Sequence, residues 1–156
     1  DPRLEIRIGN GFDHVVGGAG GEAFDLLVLD LTDPVGHARP LYTTDFFRAC
    51  LARLTAEGAL CLHTASPIYR PQRLVALCAE LAAAFPVVTP YFVTVPLYGG
   101  LWGMACASRV LDITRLDAAE VDHRIAARGL SGLGYYNGAT HQALLARPNF
   151  LRTLLP

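Results

Sequence analysis

The stretch Leu26-Leu-Val-Leu-Asp30-Leu-Thr-Asp33-Pro-Val-Gly36 sets two carboxylates three residues apart where an apolar run gives way to a turn. Branched apolar residues from Leu26 to Leu29 read as a strand buried on both faces, and Asp33-Pro34 stops it. This places Asp30 at the carboxyl end of a central strand, in the crevice where open α/β sheets bind ligands. Two plainer roles compete on spacing alone. Asp30 can cap a following helix, and an aspartate before proline is common in simple turns.

The rest of the chain supplies the elements such a sheet needs. Leu4 to Ile8 alternates like a strand and runs into the tight turn Gly9-Asn-Gly11, with a short helical piece after it. Gly17 to Gly21 reads as a flexible loop, and it is no phosphate cradle because a strand rather than a helix follows and no Lys-Thr or Lys-Ser is present. From a cap at Thr43 or Thr44, the residues Phe46, Phe47, Cys50, Leu51 and Leu54 share a helical face that Gly58 ends. Ala59 to Thr64 is the next strand. Pro71 opens a helix with Leu74, Leu77, Cys78 and Leu81 facing the sheet, and Pro86 closes it. Strands at Val87 to Val95 and Trp102 to Ser108 follow, joined by Pro96-Leu-Tyr-Gly-Gly100. Asp117-Ala-Ala-Glu120 has capping-box spacing for a helix that Gly129 stops, and short helical pieces run from Thr140 to Leu155. The order describes an α/β open sheet with an antiparallel edge pair, in one domain.

Composition narrows the function classes. The chain is 52% hydrophobic and 17% charged, so either the sheet is covered on both faces or part of its surface meets another chain. All 13 basic residues are arginines, and they are scattered, which leaves no nucleic-acid footprint and no lysine for Schiff-base chemistry. Cys50, Cys61, Cys78 and Cys106 lie far apart in apolar segments and read as reduced core thiols of a cytoplasmic-type domain. The five histidines form no H-x-H or H-E-x-x-H pair, so no metal is expected. The longest apolar run, Leu74 to Val88, is interrupted by Glu80 and Pro86 and is too short to span a bilayer. Trp102, Tyr135 and Tyr136 read as core, and His141 as a helix-surface or packing residue.

Four collinear motifs carry a resemblance over essentially the whole chain. Asp1-Pro-Arg-Leu with Gly9-Asn-Gly-Phe12 looks like D-P-R-V and G-D-G-F, and Asp30-Leu-Thr-Asp33-Pro-Val-Gly36 looks like D-S-S-D-P-x-G. Pro96-Leu-Tyr98-Gly-Gly-Leu-Trp102-Gly103 looks like P-T-Y-P-S-G-x-W-G, one residue shorter. Tyr135-Tyr-Asn137 with His141 and Pro148-Asn-Phe150 looks like Y-Y-N, H and P-x-F. Together they resemble the spermidine synthase family of polyamine aminopropyltransferases, whose catalytic domain has a class I methyltransferase-like, Rossmann-like fold. The resemblance implies transfer of an aminopropyl group from decarboxylated S-adenosylmethionine to a diamine such as putrescine, leaving methylthioadenosine. It implies Asp30 as the carboxylate that deprotonates the attacking amine, Asp33 as an anionic contact for the diamine, and Tyr98 as a channel wall that orients the nucleophile. Asn10 and Gly11 stand at the adenine contact, and Ala38 and Leu41 in the segment covering the adenine. Partners are then a small diamine and a nucleoside sulfonium, in a homo-oligomeric cytoplasmic enzyme with no metal.

The chemistry suits those residue types. An alkylammonium has no lone pair, so it must lose a proton before attacking the carbon beside the sulfonium, and a carboxylate accepts that proton. Departures from the pattern fit either an altered amine choice or a paralogue that has lost catalysis, and the one at Asn10 bears on the strength of adenine binding. Asn10 replaces an aspartate, His63 and Ala65 stand in Leu62-His-Thr-Ala-Ser-Pro67 where the family reads Q-x-E-S-P, and Gly99-Gly100 replaces P-S-G. The family's glycine-rich loop, its ribose-binding acidic residue and its small N-terminal β domain correspond to nothing in residues 1–156. The chain is accordingly expected to be the C-terminal part of a catalytic domain, truncated at the N-terminus and inactive alone. Residues 1–8 are then expected to pair beside the Asp30 strand or in a second copy. Alternatives on the same scaffold are a non-catalytic binding or assembly module and a methyltransferase-like enzyme.

Overall fold

The computed structural model describes residues 1–18 and 21–155. Its elements are α1 (Gly11–Val16), β1 (Phe24–Leu29), α2 (Thr44–Ala52), β2 (Leu54–His63), α3 (Pro71–Ala82), β3 (Val87–Val95), β4 (Gly100–Ser108), α4 (Ala118–Ala127), α5 (Gly138–Leu145) and α6 (Asn149–Leu154). Among the described residues the strands form one sheet in the order β1-β2-β4-β3. β1 and β2 run parallel, while β4 is antiparallel to both β2 and β3, which is the expected open α/β sheet with its antiparallel edge.

Local chemistry sets the element ends. Thr43 Oγ1 accepts the Phe46 N–H at the start of α2, and Pro71 occupies the first turn of α3, where its missing N–H costs nothing. Asp117 Oδ1 accepts the Glu120 N–H at 2.7 Å to open α4. The apolar stripes of α2 and α3, Phe46, Phe47, Cys50, Leu77 and Leu81, pack on the sheet face formed by Leu60, Leu62, Ala105 and Ala107. A second cluster of Ala65, Leu74, Phe92, Leu151 and Leu155 seats α6 against the same side. The opposite face carries the alternate residues, and α5 covers part of it by packing against β3.

Several expectations change. Leu4 to Ile8 forms no strand among the described residues, and Leu4, Ile6 and Ile8 are exposed. Alternation alone does not make a strand; a ladder partner does, and the described pairing of β1 is with β2 rather than with this segment. β1 is consequently an edge strand instead of a central one. Leu27 and Leu29 pack on the core, but Leu26 and Val28 stay 55% and 65% exposed, so the strand is not buried on both faces. The helix expected to reach Gly58 ends at Ala52, and Leu54 already pairs with Phe24. Gly58 instead permits a close strand approach, because a Cβ there would lie 2.8 Å from the Phe24 carbonyl oxygen. Tyr135 and Tyr136 are 63% and 39% exposed rather than core. His141 does pack, buried between the Tyr136 hydroxyl at 2.8 Å and the Ile113 carbonyl at 2.9 Å. The glycine loop from Gly17 to Gly21 lies partly outside the described residues, at Ala19 and Gly20. All four cysteines are free thiols, and no helix among the described residues is long and apolar enough to cross a membrane.

One glycine fixes the end of the sheet nearest the two carboxylates. Beyond β2 the backbone stays zipped to β4, with Thr64 N–H donating to Gly103 O at 2.8 Å and Gly103 N–H to Ala65 O at 2.9 Å. A Cβ on Gly103 would fall 2.8 Å from the Ala65 carbonyl oxygen. Gly103→Ala is expected to cost about 1–3 kcal/mol by overpacking, read as a lower urea midpoint with an unchanged slope.

Candidate active site

Parallel pairing of β1 and β2 aligns Leu29 with Leu62, so Asp30 and His63 emerge side by side at the carboxyl ends of the two strands. The backbone after Asp30 is then pinned at three points. The Leu31 carbonyl accepts from His63 Nε2, the Thr32 carbonyl accepts from the Tyr42 hydroxyl at 2.5 Å, and the Asp33 carboxylate accepts from Arg73 Nη1 at 2.9 Å. Gly36, at φ +58°, turns the chain into the 3-10 segment Gly36–Tyr42, and only a glycine takes that conformation without strain.

The opposite wall comes from the β3–β4 hairpin. Val93 pairs with Trp102 and Val95 with Gly100, and the connection holds a single 3-10 turn, Pro96–Tyr98, closed by Gly99 at φ +83°. That turn presents Tyr98, 53% exposed, with its ring 4.7 Å from Trp102. Asp30, Asp33, His63, Tyr98, Trp102 and Met104 thus line one open cleft of about 420 Å³. Asp30 is exposed, and its carboxylate has no hydrogen-bond partner among the described residues, so both oxygens are open to a ligand. Two carboxylates and two aromatic rings lining one cleft are groups that can hold a cation, a ring face adding about 0.5–2 kcal/mol where an ammonium lies over it.

Trp102 belongs to this wall rather than to the core. The period of β4 carries the signal: Gly103, Ala105 and Ala107 face the helices, so Trp102 and Met104 point to the His63 side. The Asp33–Arg73 pair had no signal, because 40 residues of chain separate its members. Arg73 also lies 6.0 Å over the Tyr42 ring, and its Nε and Nη2 are buried without partners.

The hydrogen bond from Arg73 holds the Asp33 carboxyl below the usual carboxylate range. Because the folded carboxyl titrates below its unfolded value, about 3.9, its stabilising contribution is complete at neutral pH and is lost as pH falls through the folded pKa. Arg73→Gln is expected to move the Asp33 titration up toward the ordinary range, read from the Asp33 carboxyl ¹³C shift against pH. An unmoved titration would assign the depression to another group. Asp33 is half-exposed, so the matching stability change is small.

A profile of the spermine/spermidine synthase domain matches residues 1–116. The chain belongs to that family. A polyamine aminopropyltransferase of Nitrosomonas europaea is 50% identical over 155 residues, covering 99% of this chain and 47% of the relative. A second, from Hyperthermus butylicus, is 37% identical, covering 98% of this chain and 50% of its own length. Among solved structures, a spermidine synthase in complex with the transition-state analogue AdoDATO superposes with TM-score 0.85 at 31% identity, covering 99% of this chain and 52% of that one. Human methyltransferase-like protein 13 in complex with SAH, at TM-score 0.62 and 16% identity, shares the fold alone; 95% of this chain and 62% of that one are covered. The chain spans about half the length of the curated relatives it matches.

The remaining residues named from the family resemblance lie apart from the cleft lining. Asn10 caps α1, with Oδ1 accepting the Phe12 N–H at 3.0 Å and Nδ2 donating to Asp13 at 2.9 Å. Gly11 is the first residue of that helix, and both it and Asn10 are exposed. Ala38 and Leu41 sit on the 3-10 segment, Leu41 packed against the core. The second oxygen lone pair of Asn10 is still free to accept from a ligand amino group.

Proposed function

We propose that this spermine/spermidine synthase domain chain carries the amine-binding and proton-accepting part of an aminopropyltransferase. The reading rests on one observation above others: Asp30, Asp33 and Tyr98, distant in sequence, line a single cleft at the carboxyl end of the sheet. A diamine lies along that cleft with one end at Asp30 and the other ammonium near Asp33. Asp30 takes a proton from the near ammonium, freeing the nitrogen lone pair. The nitrogen attacks the propyl carbon bonded to the sulfonium of decarboxylated S-adenosylmethionine. The new C–N bond forms as the C–S bond breaks, and its electron pair returns to sulfur, leaving neutral methylthioadenosine. Because the sulfonium is already a good leaving group, alignment of the two reactants supplies much of the acceleration.

In this reading Asn10 and Gly11 contact the adenine, and Ala38 and Leu41 cover it. The further cofactor contacts of such an enzyme come from polypeptide outside residues 1–156, as the half-length match to the relatives suggests. The Asp33–Arg73 pair has a consequence for affinity: Asp33 shares its charge with a guanidinium, so its pull on the distal ammonium is moderate.

Trp102 is the only tryptophan, and it lines the cleft, so it reports occupancy directly. Titrating putrescine into this chain is expected to change Trp102 fluorescence saturably. Asp33→Asn should weaken that binding several-fold, on the order of 1 kcal/mol for a half-exposed charge contact. Fluorescence that does not respond saturably to putrescine, or a response that Asp33→Asn leaves unchanged, would contradict the amine site.

A further inference from the structure

His63 links the two walls of the cleft. Its Nε2 lies within hydrogen-bond distance of the Leu31 carbonyl oxygen, and a carbonyl only accepts, so Nε2 carries the hydrogen and donates it. The other ring nitrogen, Nδ1, is buried without a partner, which leaves the bond to Leu31 as the ring's polar attachment among the described residues. On the other side the imidazole lies 6.3 Å from the Trp102 ring, which in turn lies 4.7 Å from Tyr98. The mount itself is stiff: His63 pairs with Met104 in the sheet, and the two residues after it are zipped to Gly103.

Leu31 is the residue after Asp30 and two before Asp33. Fixing its carbonyl therefore fixes the backbone between the two carboxylates, and the tilted contact of Trp102 with Tyr98 refers that backbone to the aromatic wall. We propose that His63 is a positioning residue that sets the spacing between the carboxylate pair and Tyr98, and through that spacing the length of amine the cleft accepts. The proposal rests on the aminopropyl-transfer reading of the same cleft. A histidine that served packing alone would tolerate an isosteric apolar residue.

The test uses the complete gene product with decarboxylated S-adenosylmethionine and either putrescine or cadaverine, comparing wild type with His63→Leu and His63→Gln. His63→Leu removes the N–H donor, and is expected to lose on the order of tenfold in kcat/KM for the preferred diamine, since misplaced reactants lose rate steeply. The ratio of kcat/KM between the two diamines should also move toward one. His63→Gln keeps an N–H that reaches the carbonyl and should recover most of both effects. A merely structural role predicts instead that the loss follows the unfolding midpoint and leaves the ratio unmoved; that result, or a His63→Gln as defective as His63→Leu, overturns the proposal. An active wild type matched by His63→Leu overturns this inference alone. A wild type that releases no methylthioadenosine with either amine overturns the functional reading and this inference with it.

Discussion

Asp30→Asn in the complete gene product is expected to lower kcat for aminopropyl transfer by about 10²- to 10⁴-fold, the range a positioned general base supplies. The substitution keeps size and shape but removes both the negative charge and the basicity that the proposed mechanism asks of Asp30, and the pH dependence of the rate separates the two. Asp30 suits the test because its carboxylate has no partner among the described residues, so no fold contact is lost with it. The deficit should narrow as pH rises toward that at which an alkylamine deprotonates by itself, near 10. A rate loss that stays constant with pH would make Asp30 a binding anion rather than a base. A rate that does not fall would move the proton-accepting role elsewhere.

The largest stability effect is expected from Phe47→Ala. Phe47 is 0% exposed on α2, its ring 6.3 Å from that of Phe46, and it belongs to the cluster that glues α2 and α3 to the sheet. Removing a buried phenyl group costs about 3–5 kcal/mol, combining lost transfer energy with the cavity left behind. Domains of this size have about 5–15 kcal/mol in total, so the variant should unfold at a much lower urea concentration. The outward-facing neighbour Arg48 gives the contrast, since its ion pair with Asp45 is solvent-exposed and its loss should cost well under about 1 kcal/mol. Equal effects at the two positions would place the core elsewhere.

The parts of the fold written in local chemistry were legible in the sequence. Thr43, Pro71 and Asp117 mark helix starts because a cap or a proline acts within one turn, and β3 runs from Val87 to Val95 as its pattern indicates. The failures are at places where a distant partner decides. Leu4 to Ile8 has strand alternation but pairs with no strand among the described residues, and β1 reads as central although the described sheet leaves it at an edge. Gly58 reads as a helix stop, yet its purpose is the close approach of Phe24 from another strand. The candidate site divides the same way. Asp30, Asp33 and Tyr98 announce themselves in motifs, and the sheet brings them together. Arg73 behind Asp33 and the His63 bond to Leu31 depend on contacts across 40 and 32 residues, which no local pattern encodes.

The account's central claim is that this cleft serves transfer of an aminopropyl group to an amine. The measurement that meets it most directly is methylthioadenosine release by the complete gene product from decarboxylated S-adenosylmethionine, with putrescine, cadaverine, agmatine and spermidine offered in turn. Release that depends on one of these amines and disappears in Asp30→Asn is the predicted result; a well-folded wild-type protein that releases no methylthioadenosine with any of them would contradict it.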